Sequence, residues 1–405
     1  MSAPVRNIAV LGRGLAGWGG GVDLLRLILN GLCAVPEPGT TITLLLPGDS
    51  WTRKARRALK ESLGALAGRP VQRSPLSRQG LKDAFADYAG QVQLRFYTAG
   101  RRGLLAALRA IEAQIVLPCL DAPGLDFPLP WIGYIYDFQH RVLPELFSAR
   151  ERERRDAAFE AMLQQARSIV VTSQAVADDA ARFYPEHAAR LIPLPFSAAL
   201  RPQLLTRDPG EVRAQYGLPQ RFFIICNQFW VHKDHPTAFR AFARLLGGAQ
   251  QDSLALVCTG SLGDHRAPEH AEQMRALLAR LGVADRVFLL GYLPKPEQVA
   301  LLRAAVALIQ PTLFEGGPGG GSTYDAVALG IPAILSDIPV NREVEGVFVS
   351  YFPPGDPEAL AARMAQALDA PRAAPSQQQL QAEAARRLAR LGRTLQQAIS
   401  EASAQ

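Results

Sequence analysis

Two carboxylates bracket the most unusual stretch of the chain, LFEGGPGGGSTYDAVALGIP. Nine residues separate Glu315 from Asp325, five glycines and one proline among them. Glycines at 316, 317, 319, 320 and 321 leave backbone N–H groups with no side chain in the way. Ser322, Thr323 and Tyr324 then lead toward a helical pattern, with Asp325 placed in its first turn, where an acid suits the helix dipole. Bare N–H groups donate to a sugar or phosphate oxygen, and flanking carboxylates accept from hydroxyls. A cis-diol on a sugar is a natural partner for such an acid. A structural glycine turn is the plain alternative.

Other candidate groups stand where strand-like runs end. CNQFWVHKDHPTAF places Lys233 just after an apolar run and ahead of a helix, where an ammonium can reach a diphosphate as a compact charge. His232 and His235 flank it, but no third metal ligand is evident. PWIGYIYDFQHRVLPELFS sets Asp137 and His140 after a strand among aromatics, as polar groups that face a cleft or as a structural histidine with one satisfied bond. RGLAGWGGGVDLL brings Gly19, Gly20 and Gly21 to a helix start near Val22, an arrangement that suits an anion. Its spacing is not the dinucleotide G-x-G-x-x-G.

Positioning these groups takes a scaffold, and the apolar pattern supplies one. Strand-like runs NIAVLG, TITLLLP, VQLRFYT, QIVLPCL, PWIGYIYD and SIVVTS alternate with helical segments in the first half. RFFIICNQ, LALVCTG, RVFLLGYL, VALIQPTLF, PAILS and VFVSYF do so in the second. This alternation predicts an α/β fold of two Rossmann-like, doubly wound domains facing each other across a cleft. The expected boundaries are an N-terminal Rossmann-like domain over 1–200, a linker over 201–218, a C-terminal Rossmann-like domain over 219–373 and a helical tail over 374–405. Ligands of such sheets bind beyond the carboxyl ends of the strands.

Composition limits the alternatives. The 405 residues suffice for two or three domains, and 48% hydrophobic with 20% charged residues is a globular balance. No apolar run reaches membrane-span length, and the N-terminus does not read as a signal peptide. Cys33, Cys119, Cys226 and Cys258 are far apart and form no CxxC pair, which reads as core thiols in a reducing cytosol. Net charge is +7, and residues 51–100 carry ten Lys/Arg against three Asp/Glu, the whole surplus. WTRKARRALKESLGAL lines Trp51, Ala55, Leu59, Leu63 and Leu66 on one helix face, with Arg53, Lys54, Arg56, Arg57 and Lys60 around it. A solvated helix is one reading. Peripheral contact of 51–73 with an anionic membrane, or with a phosphate-bearing substrate, is the other. No aromatic interleaving supports nucleic-acid binding.

The run LFEGGPGGGSTYDAVALGIPAILSDIPVNREV resembles the donor-binding motif of retaining GT-B glycosyltransferases of family 4, the group 1 transferases. That family places an acid after a strand, seven residues, then a second acid opening a helix. A G-x-P turn and an SD-x-P-x-x-R-E-like segment follow, matched here by Gly330-Ile331-Pro332, Ser336-Asp337-Ile338-Pro339 and Arg342-Glu343. The chain departs in having nine residues between the acids and Asp as the second acid. The family's diphosphate Arg and Lys stand five residues apart; Lys233 takes the Lys place and Gln228 the Arg place.

The resemblance implies a GT-B fold and sugar transfer with retained configuration from a nucleoside-diphosphate sugar to a glycan or lipid-linked acceptor. Bacterial surface polysaccharide or glycoconjugate synthesis is the implied setting, in the cytoplasm at the inner membrane face, with no metal, cofactor or nucleic acid. It assigns Glu315, Lys233 and His140 to the catalytic set, with His140 on the acceptor side. Gly317, Gly319, Gly320, Gly321, Ser322 and Thr323 face the donor sugar and phosphates, and Asp325 the ribose. Gly19, Gly20 and Gly21 face the phosphates from the first domain. Gly260, Gly291, Tyr292 and Leu293 lie near the base. A GT-B sugar-nucleotide epimerase and an inactive nucleotide-sugar-binding scaffold are the rival readings.

Overall fold

The computed structural model of the chain describes residues 5–48, 77–186, 191–248, 253–264, 266–369 and 375–404. The basic segment 51–73 lies outside the described residues.

All twelve strands expected from the apolar runs form, and each pairs in parallel. The first sheet contains β1 (Asn7–Leu11), β2 (Thr41–Pro47), β3 (Val92–Tyr97), β4 (Ile115–Cys119), β5 (Trp131–Ile135), β6 (Ser168–Val171) and β7 (Leu191–Pro193), in the order β3-β2-β1-β4-β5-β6-β7. The second contains β8 (Arg221–Cys226), β9 (Leu254–Thr259), β10 (Val287–Gly291), β11 (Leu308–Gln310), β12 (Ala333–Ser336) and β13 (Val349–Phe352), in the order β10-β9-β8-β11-β12-β13. Helices cover both faces of such sheets, which explains why the strands read as unbroken apolar runs rather than alternating ones. In β8, Phe222 to Ile225 are fully buried.

β7 is not among the strand-like runs of the sequence. Pro193 can close it because the strand lies at the sheet edge, where no ladder donor is required. After it, Phe196 and Ala198 already pack into the second domain's core beside Val212 and Leu218. The chain enters the second sheet at Arg221.

The C-terminal tail is one long helix, Gln377–Ser403, opened by a capping box at Ser376 and Gln379. It packs against the helix Gly19–Ala34. Gly392 and Gly31 permit the close approach: a Cβ on Gly392 would lie 2.4 Å from the Gly31 carbonyl oxygen. Leu391, Leu395 and Ile399 join the first domain's core there. Each contributes about 1.5–3 kcal/mol by leaving water. The same helix holds the second domain through Arg387, which donates to Glu345 O at 2.8 Å. It thus ties the two domains together. Among the described residues, no helix is long and apolar enough to cross a membrane.

Candidate active site between the domains

Both sheets reverse their winding direction next to their first strand. In the first, β1 lies between β2 and β4; in the second, β8 lies between β9 and β11. Crevices open outside the carboxyl ends of strands at such switch points. The segments that follow β1, β8 and β11 carry Gly19–Gly21, Lys233 and Glu315. Two cavities of about 450 and 770 Å³ lie instead at the opposite strand ends, lined by Val5, Ile8 and Thr40 in one domain and by Pro332 and Val349 in the other. The chemistry-bearing side chains are not there.

Beyond β8 the chain makes a short turn, Val231–Lys233, closed by Asp234 with φ +46°. Beyond β11, Thr312 stitches the two loops: its hydroxyl lies 3.1 Å from His232 O, and Leu313 N donates to the same oxygen at 2.8 Å. This brings Lys233 Nζ onto Glu315 Oε1 as an ion pair. Gln310 fixes the carboxylate from below. Its Nε2 donates to Glu315 Oε1 at 2.8 Å, while its Oε1 accepts from Asn227 Nδ2 at 2.7 Å. Lys233 and Glu315 keep only 11% and 10% of their side-chain surface, so the pair is shielded from bulk water yet reachable.

The glycine run does not wait for Ser322 to become helical. The helix spans Gly320–Ala328, with Gly319 as its left-handed cap at φ +66° and Gly320 at φ +68°. Non-glycine residues rarely adopt that conformation. Asp325 therefore sits in the second turn, not the first as expected. Gly319 N donates to Asn341 Oδ1 at 3.0 Å, and Thr323 Oγ1 to Gly319 O at 2.6 Å. Asn341 in turn holds Ser336 O at 2.8 Å. The loop is thus preorganised by the segment that carries Ser336-Asp337-Ile338-Pro339. Ser322 Oγ is buried with no protein partner, and a Cβ on Gly321 would touch nothing within 4 Å.

Asp325 is 8% exposed and carries two cations, Arg201 Nη2 at 2.6 Å and Lys295 Nζ at 2.6 Å. Burial alone would raise its carboxyl, but Lys295 and Arg201 more than offset this and hold it below the ordinary value. Arg201 had no signal in sequence: it lies in a stretch read as linker.

Across the cleft the first domain presents Asp137. Its Oδ1 accepts from Gln139 N at 2.9 Å. A Cβ on Gly316 would lie 2.6 Å from Tyr136 O and 3.1 Å from Asp137 Cβ, so the glycine loop runs directly against this turn. Gly316 O in turn accepts from Thr172 Oγ1 at 2.6 Å and Ser173 Oγ at 3.0 Å. Burial pushes the Asp137 carboxyl up; Gln139 N–H and Arg155 oppose that, and the nearby Glu315 adds to it.

His140 is placed otherwise than expected. Its ring is fully buried between Phe138, Phe147 and Phe159, with Nε2 2.8 Å from Asp156 Oδ1. Burial lowers its basicity even against Asp156. It is a core histidine that shapes the turn carrying Asp137. His232 and His235 are likewise buried. Burial first, then neighbouring positive groups, push both down to about 3, and His235 stacks on Phe229 at 3.9 Å.

The remaining predicted donor residues stand after strand ends or at a helix start. Gly19 begins the helix Gly19–Ala34, three residues before the expected start at Val22, and a Cβ there would touch nothing. Gly20 lies under the Trp18 ring, and Gly21 against the Leu15 carbonyl. Gly260 and Gly291 both have positive φ and join through Gly260 N to Gly291 O at 2.7 Å. Tyr292 is 76% exposed, Leu293 is buried and Gln228 is exposed.

Residues 210–387 match the family model described as glycosyl transferases group 1. No curated protein sequence matches the chain. Solved structures match along nearly its full length. The Anabaena HepE protein in complex with UDP and glucose is 16% identical, covering 98% of this chain and 99% of its own, with TM-score 0.63. Sucrose-phosphate synthase from Thermosynechococcus elongatus is 18% identical over 95% and 94%, with TM-score 0.60. A UDP-forming trehalose-phosphate synthase from Burkholderia xenovorans is 15% identical over 98% and 99%, with TM-score 0.59.

The fold is GT-B. In this GT-B chain, the match to the group 1 model spans the second domain and enters the long final helix. It therefore includes Lys233, the glycine loop, Asn341 and Glu343, and leaves out Asp137 and Arg201.

Proposed function

We propose that the chain is a retaining, metal-independent glycosyltransferase of the hexosyl type, which moves a sugar from a nucleoside-diphosphate sugar to a glycan or lipid-linked acceptor in surface polysaccharide or glycoconjugate synthesis. The observation that carries this reading is the Lys233–Glu315 pair lying against a glycine-started helix at the carboxyl edge of the second sheet. A diphosphate takes Lys233 and the N–H groups of Gly321 and Ser322 in the first turn of that helix, which offset the charge that develops on the leaving group. Glu315, released from Lys233, accepts from the sugar hydroxyls, and Asp325 lies on the ribose side. Asp137 is the acceptor-side carboxylate: a raised pKa suits a group that takes a proton from an attacking hydroxyl. The basic segment 51–73 supports a peripheral contact with an anionic membrane surface, where a lipid-linked acceptor would be met.

UDP and UDP-sugars are the first probes, since UDP occupies the similar HepE structure. The test is a donor panel with product analysis by proton NMR, reading donor consumption and anomeric configuration. Transfer with the donor's configuration kept is expected. An inverted product, or a released epimer without acceptor, overturns the reading. Liposome sedimentation at low and high salt checks the membrane contact; binding indifferent to anionic lipid removes it.

A further inference from the structure

The group 1 pattern provides an arginine and a lysine for the diphosphate, and here Gln228 stands in the arginine's place. The second domain alone is one positive charge short. The connection between the sheets supplies that charge from a different direction.

Arg201 leaves the stretch between β7 and β8 and lies in the cleft with 19% of its side chain exposed. Nη1 donates to Asp23 Oδ1 at 2.7 Å, and Nη2 to Asp325 Oδ1 at 2.6 Å. Asp23 belongs to the second turn of the helix Gly19–Ala34, and Asp325 to the second turn of the helix Gly320–Ala328. One guanidinium thus spans the two helices whose glycine-bearing N-termini open on the cleft. Of the five N–H donors of a guanidinium, these bonds use two. None of the others has a partner among the described residues.

The charge balance is uneven with depth. Asp325, 8% exposed, faces both Arg201 and Lys295, whereas Asp23 is 48% exposed. A half-exposed carboxylate is well screened and compensates little. Immediately around Asp325, positive charge therefore exceeds negative. A guanidinium is the group best shaped to meet a phosphate with two parallel bonds.

Resting on the nucleotide-sugar reading above, we infer that Arg201 binds a phosphate of the donor. It takes the place of the missing arginine at Gln228, keeps Asp325 as its anchor and exchanges Asp23 for the ligand. Asp23 is then a stand-in for the phosphate in the free protein.

Titration calorimetry on the full chain tests this. The panel is UDP, GDP and ADP, each beside its own nucleoside, with the parent, Arg201→Gln, Arg201→Lys and Asp23→Asn. For the diphosphate that binds the parent, Arg201→Gln weakens binding by about tenfold or more, the loss of one charge-assisted bond. It leaves the nucleoside within about twofold, since base and ribose are held elsewhere. Arg201→Lys recovers part of the loss. Asp23→Asn binds the diphosphate as tightly as the parent or tighter. Equal losses for nucleoside and diphosphate would make Arg201 only a support for Asp325 and overturn the inference. So would full affinity in Arg201→Gln, or an Asp23→Asn loss equal to it. If Arg201→Gln does not fold by circular dichroism, the Asp23→Asn and Arg201→Lys comparisons carry the same decision. A parent that binds no nucleoside diphosphate sinks the donor reading itself, and this inference with it.

Discussion

Glu343 of the second domain caps a helix of the first through Ala175. The two oxygens of its carboxylate accept from Gln174 N and Ala175 N, both at 2.8 Å, at the start of the helix Gln174–Phe183. The donors are among the unpaired N–H groups of a helix N-terminus, and the dipole favours a negative charge there. Beside it, Thr172 and Ser173 hold Gly316 O. The glycine loop and the first domain are thereby locked in one arrangement.

Removing that cap should loosen closure without touching the nucleotide site. A helix cap is worth about 0.5–2 kcal/mol. Glu343→Ala should therefore speed amide exchange at Gln174 and Ala175 by roughly two- to thirtyfold, given the exponential dependence on free energy. The radius of gyration of the free protein should rise. Unchanged exchange at both amides would mean the cap contributes nothing to closure.

In the ligand-free protein Lys233 and Glu315 satisfy each other, so donor binding exchanges an internal pair for two external ones. Lys233→Ala should lower nucleoside diphosphate affinity by about 1.5–3 kcal/mol, the range for a charge-assisted bond. Glu315→Gln keeps the volume but presents an amide to Gln310 and to the sugar. Turnover should fall far more than nucleotide affinity, because base, ribose and phosphates are held by other groups. Calorimetry beside donor consumption separates the two. Intact turnover in a folded Glu315→Gln protein would move the site elsewhere.

Acid should destabilise the second domain through its buried histidines. His232 and His235 are neutral in the fold, with pKa near 3 against an ordinary value of 6.5. Between those values the unfolded chain binds more protons than the folded one. Stability is therefore full above 6.5 and is lost as pH falls toward 3, by up to about 1.4 kcal/mol per pH unit for each histidine. His235→Leu should reduce that slope by about one proton between pH 6.5 and 5, read by urea unfolding. An identical slope would show that His235 is not the acid-sensitive group.

Local pattern explains what could be read ahead of the structure. The twelve strands lie in unbroken apolar runs, and the glycine loop follows one of them directly. What escaped depends on distant pairing. Lys233 and Glu315 are 82 residues apart, and Arg201 and Asp325 are 124 apart, so neither partnership leaves a mark in a short window. β7 escaped because it is three residues long and ends in proline. His140, which follows a strand, read either as a cleft group or as a structural histidine; Phe138, Phe147, Phe159 and Asp156 bury it. Asp137, three residues earlier in the same stretch, reaches the cleft.

The glycine loop gives the sharpest contrast, because two adjacent glycines are bare for different reasons. Gly320 has φ +68°, and a Cβ there would lie 2.9 Å from Gln310 Nε2 and 3.2 Å from Glu315 Oε1. Gly320→Val should damage the fold and the site together, since a β-branched residue resists that backbone and displaces the carboxylate. Gly321 has ordinary helical backbone, and a Cβ meets nothing within 4 Å. Nothing in the protein requires glycine there. In a helix, alanine is better than glycine by about 0.5–1 kcal/mol, so Gly321→Ala should raise the unfolding midpoint slightly. If a donor diphosphate lies against these N–H groups, the added methyl occupies its space. Nucleoside diphosphate affinity should then fall about tenfold or more, the equivalent of one lost bond of about 1.4 kcal/mol. The opposite signs of the two effects are the test, read by thermal unfolding and calorimetry on one protein. A Gly321→Ala variant that is more stable and binds as tightly as the parent would place the diphosphate away from this helix and return the glycine run to a structural turn.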